Sequence, residues 1–153
     1  MKRITEPMTK LCISAIFISA LLLGFQMAEK VNKTSAGLAI KGYDPVAYFE
    51  DGKPEKGNPA YQFQWKGATW RFSSTARRDA FAKEPDRYAP QYGGFCAYGV
   101  SEGHTAPIDP EAWTIIDGKL FLNYDKQVRE DWKKDTKGRI QKADQNWPKL
   151  AGR

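Results

Sequence analysis

Residues 61–72 read "YQFQWKGATWRF". Tyr61, Phe63 and Trp65 alternate with glutamine, and beyond Lys66-Gly67 the positions Ala68, Trp70 and Phe72 alternate with threonine and arginine. A period of two marks a strand with one buried face, and two such runs joined by two residues predict a β-hairpin. In that register Phe63 faces Trp70 and Tyr61 faces Phe72, aromatic pairs worth about 0.2–1 kcal/mol each. A second hairpin is predicted in residues 113–124, "WTIIDGKLFLNY", around the type I′ turn signal Asp117-Gly118. Its strands are apolar on both faces, which assigns them to the middle of a sheet.

Helical spacing flanks both hairpins. In "SSTARRDAFAKEP" (73–85), Ser73 or Ser74 is the N-cap, Ala76, Ala80 and Phe81 share a face, and Pro85 is the stop. In residues 126–148, Val128 pairs with Trp132, and Ile140, Ala143 and Trp147 form a second face, with the break set at Gly138. The expected fold class is α+β: a small antiparallel sheet of two hairpins, one short helix after the first and two C-terminal helices. Residues 42–60, "GYDPVAYFEDGKPEKGNPA", read as a short element and a loop. Residues 29–41 lack a clear period and read as a linker, leaving 42–150 as the domain.

The chain of 153 residues has room for one domain once its first 28 residues are set aside as a targeting segment. Lys2, Arg3 and Lys10 form a basic region, and residues 11–28 carry no charge, a length between a signal peptide and a membrane anchor. A periplasmic or exported protein is expected, with the leader either cleaved or retained as an inner-membrane anchor through residues 11–28. Beyond the leader there are 21 Lys+Arg and 17 Asp+Glu, a net charge of +4. The two signs are interspersed, so nucleic acid has little support as a partner. One cysteine remains after the leader, so no internal disulfide is available in an oxidising compartment.

That cysteine and the single histidine lie in "YGGFCAYGVSEGH" (92–104). If the segment is helical, Cys96 and His104 stand about 12 Å apart along the axis and cannot share one metal ion unless the backbone turns back at Gly99 or Gly103. Cys96, between Phe95 and Ala97, reads as a buried small residue, with a helix-start thiolate as the sharper alternative. Burial predicts slow alkylation and a loss of about 1–3 kcal/mol on Cys96→Ser. His104 follows Gly103 and reads as solvated or capping. Tyr43, Tyr48, Tyr92 and Tyr98 read as core rings, or as the lining of a cleft shared with Cys96 and His104. All three methionines lie in the leader, and haem-attachment, phosphate-loop, G-x-S-x-G and H-E-x-x-H motifs are absent.

Asp44-Pro45-Val46, Lys66-Gly67 leading to Phe72, Ser73-Ser74, and Phe81 with Pro85 and Tyr88 together resemble the YHS domain, best over residues 42–92. The remainder is similar to a long exported bacterial branch of that family. Metal-binding members carry cysteines just after D-P-V, after the aromatic that ends the hairpin, and four residues further on. Those places hold Ala47, Ser73 and Arg77 here, so the resemblance implies the fold without the family's metal ligands. The expected function is a non-enzymatic exported module binding a small ligand or protein partner through residues 93–104. A thiol-based protein using Cys96 and a divergent copper or zinc carrier are the alternatives. No catalytic residue is assigned.

Overall fold

The structure is a computed structural model and describes residues 29–152. Strands β1 (Asn58–Trp65) and β2 (Ala68–Phe72) pair antiparallel through Lys66 (φ 49°) and Gly67 (φ 70°), the two positive φ angles of a type I′ turn. Phe63 faces Trp70 as the alternation predicts, but Tyr61 does not face Phe72. The ladder slips between Gln62 and Asn58, and Phe72 pairs with Asn58 instead. Pro59 brings no N–H to a ladder, and the Asn58 side chain takes the Ala60 N–H at 2.8 Å, so the chain bulges there. Helix α2 (Thr75–Lys83) starts on Ser74, whose hydroxyl accepts the Arg77 N–H, and lays Phe81 on the hairpin. The Phe81 ring lies 5.1 Å from both Trp70 and Phe72 and 5.6 Å from Trp65, centroid to centroid. Pro85 stops α2 and opens the single turn α3 (Pro85–Tyr88).

Strands β3 (Asp109–Ile116) and β4 (Lys119–Asn123) form the second hairpin, again on a type I′ turn, at Asp117-Gly118. The class is α+β with both hairpins and both C-terminal helices in place, although the hairpins form two separate two-stranded ladders. The apolar character of β4 on both faces has another cause than a mid-sheet position. Leu120 and Leu122 enter a core shared with Trp70, Phe72 and Phe81, while Phe121 points the other way onto Trp132, ring centroids 5.1 Å apart. The hairpin is a partition between two cores. The second core is closed by α4 (Ala97–Ser101), α5 (Lys126–Lys133) and α6 (Thr136–Ala151), with Ala143 fully buried.

The break between α5 and α6 lies at Lys134-Asp135 rather than Gly138. Asp135 caps α6 by accepting the Gly138 N–H at 3.0 Å, and its carboxylate occupies the space that a Cβ on residue 138 would take. Gly138 therefore belongs to the first helical turn. Asp44 caps α1 (Pro45–Glu50), with Pro45 at the first helical position, so the D-P-V stretch is a helix start.

Residues 29–41 are not a linker. The Asn32 N–H donates to the Gly93 carbonyl at 2.8 Å, the Lys30 N–H to that of Ala151 at 3.2 Å, and the Ala39 N–H to that of Thr69 at 2.9 Å. Val31, Ala39 and Ile40 are buried. Three anchor points at short intervals hold the segment, so no hydrophobic period develops for a sequence reading to detect. The leader reading falls on residues outside the described range; among the described residues no helix is long and apolar enough to cross a membrane.

Candidate ligand pocket

The segment 92–104 folds around two glycines. Tyr92 (φ 58°), Gly93 (φ 60°) and Gly94 (φ 79°) are consecutive left-handed residues, a conformation that glycine adopts freely and tyrosine does not. A Cβ on Gly93 would collide with the Lys30 carbonyl, and one on Gly94 would lie 2.6 Å from Ile40 Cγ2. The doublet is thus required by the close approach of residues 30–40.

Cys96 follows as the N-cap of α4, with 2% of its surface exposed. Its Sγ accepts the Gly99 N–H at 3.4 Å and lies 3.6 Å from the Oδ1 of Asn123, itself fully buried. Burial pushes the thiol up from its ordinary range, against the pull of the backbone N–H groups of Gly99, Tyr124 and Tyr98. This is the inert end of the two environments expected for it.

Of the sequence candidates, Tyr48 and Cys96 belong to one hydrophobic core, and Tyr43 and Tyr98 pack against it. Tyr48 is buried, donates its hydroxyl to the Pro110 carbonyl at 2.9 Å and packs on Trp113 at 5.5 Å. Tyr43 is half-buried at the edge of the same core. The Tyr98 ring lies under the Arg139 guanidinium at 4.0 Å, and its oxygen accepts from Arg139 at 3.0 Å. His104 is exposed, its ring against Gly99. The rings of Tyr48, Tyr92 and Tyr98 pack on Trp113, Phe121 and Arg139, each on a different element. Tyr92 lines the cavity described below.

Ala47, Ser73 and Arg77, the positions that the sequence resemblance sets against metal-binding cysteines, meet around one buried carboxylate. Asp44, fully buried, accepts from the backbone of Val46 (2.9 Å) and Ala47 (3.3 Å) through one oxygen and from the Ser73 N–H and hydroxyl (2.9 Å each) through the other. Arg77 stands 3.6 Å from Asp44 and bonds Glu50, Asp51 and Glu55 at 2.6–3.1 Å. A guanidinium thus fills the space among four carboxylates. Among the described residues, no group of three or more His, Cys, Asp and Glu is arranged to hold a metal ion.

The cavity, of about 470 Å³, lies between the turn of the first hairpin, the 92–94 turn, the last turns of α6 and residues 29–31. Trp65, Trp70, Tyr92 and Trp147 supply its aromatic walls. The Trp147 ring packs 6.1 Å from that of Tyr92, and its indole N–H donates to Glu29 at 2.9 Å. Tyr92 donates its hydroxyl to Asp144 at 2.9 Å; burial first, and this bond second, push the phenol far above its ordinary range. Pro148, also on the wall, brings no N–H to the Asp144 carbonyl four residues back. Lys66 pairs with Glu29, stands 4.0 Å from Asp86 and holds its ammonium 4.5 Å from the centre of the Trp65 ring. Burial raises the Glu29 carboxyl, but Lys66 and Trp147 together hold it below the usual carboxylate range.

Sequence reasoning missed Glu29, Trp65, Lys66 and Trp147 as site residues. Each already had an explanation as linker, strand, turn or helix face, and their meeting depends on contacts more than 35 positions apart. The one local sign was Pro148 inside an otherwise helical pattern. Comparison with family models, curated proteins and solved structures finds no match for the chain.

Proposed function

We propose that this protein is an exported module of the YHS kind, carried out of the cytoplasm by residues 1–28, that holds a small ligand in the pocket between Trp65, Trp147 and Tyr92. The observation that carries the reading is the cavity: its volume suits a small molecule, its walls are aromatic, and its few charged groups sit at defined points. The binding surface moves accordingly from residues 93–104 as a whole to Tyr92-Gly93 and their neighbours. Burial and the raised pKa of Cys96 count against thiol chemistry, and Arg77 counts against a metal carrier at the family's usual place.

All five tryptophans lie beyond the leader, and three of them line the pocket, so ligand entry is read directly as a change in intrinsic fluorescence. A panel of small amines, acids and neutral aromatics should include compounds giving saturable one-to-one quenching that Trp147→Leu removes while thermal unfolding stays cooperative. A panel with no saturable member, or binding indifferent to Trp147→Leu, refutes the proposal.

A further inference from the structure

We infer that the pocket selects an organic cation, an alkylated ammonium of choline size, and that Lys66 occupies the cation position until the ligand displaces it. The inference rests on the pocket being a ligand site and names what that site prefers.

Three features of the wall point the same way. Ionic groups on it are Glu29, Asp86 and Asp144 against Lys30 and Lys66, so negative charge is in excess. No Arg or His lines the cavity. The Trp65 ring, with the Lys66 ammonium 4.5 Å from its centre, offers the negative side of its quadrupole, the surface that attracts a desolvated cation, and Trp147 adds a second indole to the wall.

Lys66 shows the site being read by an ammonium. Its Nζ lies over Trp65, paired with Glu29 and within reach of Asp86, which are the contacts a ligand cation would make. The hold is weak by construction. The side chain is long, springs from a two-residue turn and is one-third exposed, and an ion pair of that exposure contributes little. A methylated ammonium sheds its hydration more readily than a primary one and covers more aromatic surface, so it replaces Lys66 with a net gain. The released lysine is free to reach Asp86 at the rim.

The test uses the full chain and three probes matched in size: choline, its uncharged carbon isostere 3,3-dimethyl-1-butanol, and the anion benzoate. Choline should bind about fivefold or more tighter than the isostere, the scale of a partly desolvated cation–π contact. Lys66→Asn is the decisive variant, because Asn-Gly suits the type I′ turn and leaves the fold intact while removing the internal competitor. It should tighten choline about threefold or more and the isostere by clearly less, since a site released from a competing occupant gains apparent affinity for anything that fills it, while only the cation also gains the freed Glu29 and Asp86 carboxylates. Lys119→Gln, an exposed lysine on the other hairpin, controls for net charge and should change neither. If the isostere or benzoate binds as tightly as choline, or Lys66→Asn weakens choline, the cation inference falls. The pocket reading survives that result where Trp147→Leu still abolishes binding. Absence of choline binding refutes the inference outright, and silence of the wider panel refutes the reading beneath it.

Discussion

Asp44→Ala removes a carboxylate with no exposed surface that joins α1 to the start of α2. One oxygen is the N-cap of α1, and loss of such a cap costs about 0.5–2 kcal/mol. The other satisfies the Ser73 N–H at 2.9 Å, and a buried donor left alone costs a further 1–3 kcal/mol or so. The Ser73 hydroxyl keeps a partner in Arg77, at 2.9 Å, and Arg77 keeps Glu50, Asp51 and Glu55, so those contacts add little. The sum is about 1.5–5 kcal/mol, a sizeable share of the 5–15 kcal/mol that domains of this kind possess. Asp44→Asn preserves one oxygen and sets an NH₂ against either the helix start or Ser73, so it should lie between wild type and alanine. Urea unfolding followed by tryptophan fluorescence measures both, with an unchanged m-value as the sign that the folded state is intact. A double-mutant cycle with Arg77→Gln should give a coupling of about 0.5–3 kcal/mol, because the two charges lie 3.6 Å apart with Asp44 fully buried and both bond the Ser73 hydroxyl. An Asp44→Ala cost below about 1 kcal/mol, or a coupling as large as the cost itself, would show that capping and donor satisfaction are not what Asp44 supplies.

Cys96→Ser reverses the expectation from sequence: the hydroxyl accepts from Gly99 and donates to Asn123 Oδ1, so the change should fall within about 1 kcal/mol of neutral, whereas Cys96→Val strands the Gly99 N–H and costs about 1–3 kcal/mol. Iodoacetamide should label Cys96 slowly in the folded protein at pH 7 and quickly in urea. The raised folded pKa contributes stability below the unfolded thiol value of about 8.5 that is lost as pH rises through the folded pKa, a decline missing from Cys96→Ser. Hydrogen bonding to Arg77 lowers the Asp51 pKa, so that stability is present above about pH 4 and lost on acidification; the gap between wild type and Arg77→Gln in urea midpoint should therefore narrow between pH 7 and pH 3. Gly93→Ala must give up a left-handed φ and displace Lys30, and should cost at least about 2 kcal/mol together with loss of pocket binding.

Both hairpins, their turns and the cap at Ser74 were legible because each depends on neighbours in sequence: Lys66-Gly67 and Asp117-Gly118 carry the left-handed pair that a type I′ turn needs. What β4 packs against was not, since Leu120, Phe121 and Leu122 are equally apolar and nothing local assigns them to two different cores. The tether reading of residues 29–41 failed for the same reason, as their partners at Thr69, Gly93 and Ala151 are remote. At the site, the burial of Cys96 was visible in Phe95 and Ala97, but its role as a helix cap was not, because cysteine is not among the residues that usually serve there. Of the six residues singled out, Tyr92 reaches the pocket; the charged groups beside it come from turns and helix ends that leave no pattern.

The wiring that joins Glu29–Asn32 to Gly93, Trp147 and Ala151 has a consequence in time. Trp147 bonds Glu29 across 118 positions, and closures of that length come late in folding. During synthesis the first of these residues emerge with nothing to hold, and they wait until almost the entire domain has been made. The wall of the pocket is therefore assembled last: a chain stalled or clipped before Trp147 lacks both that aromatic wall and the bond to Glu29, so the cavity closes only after residues 144–148 have been made.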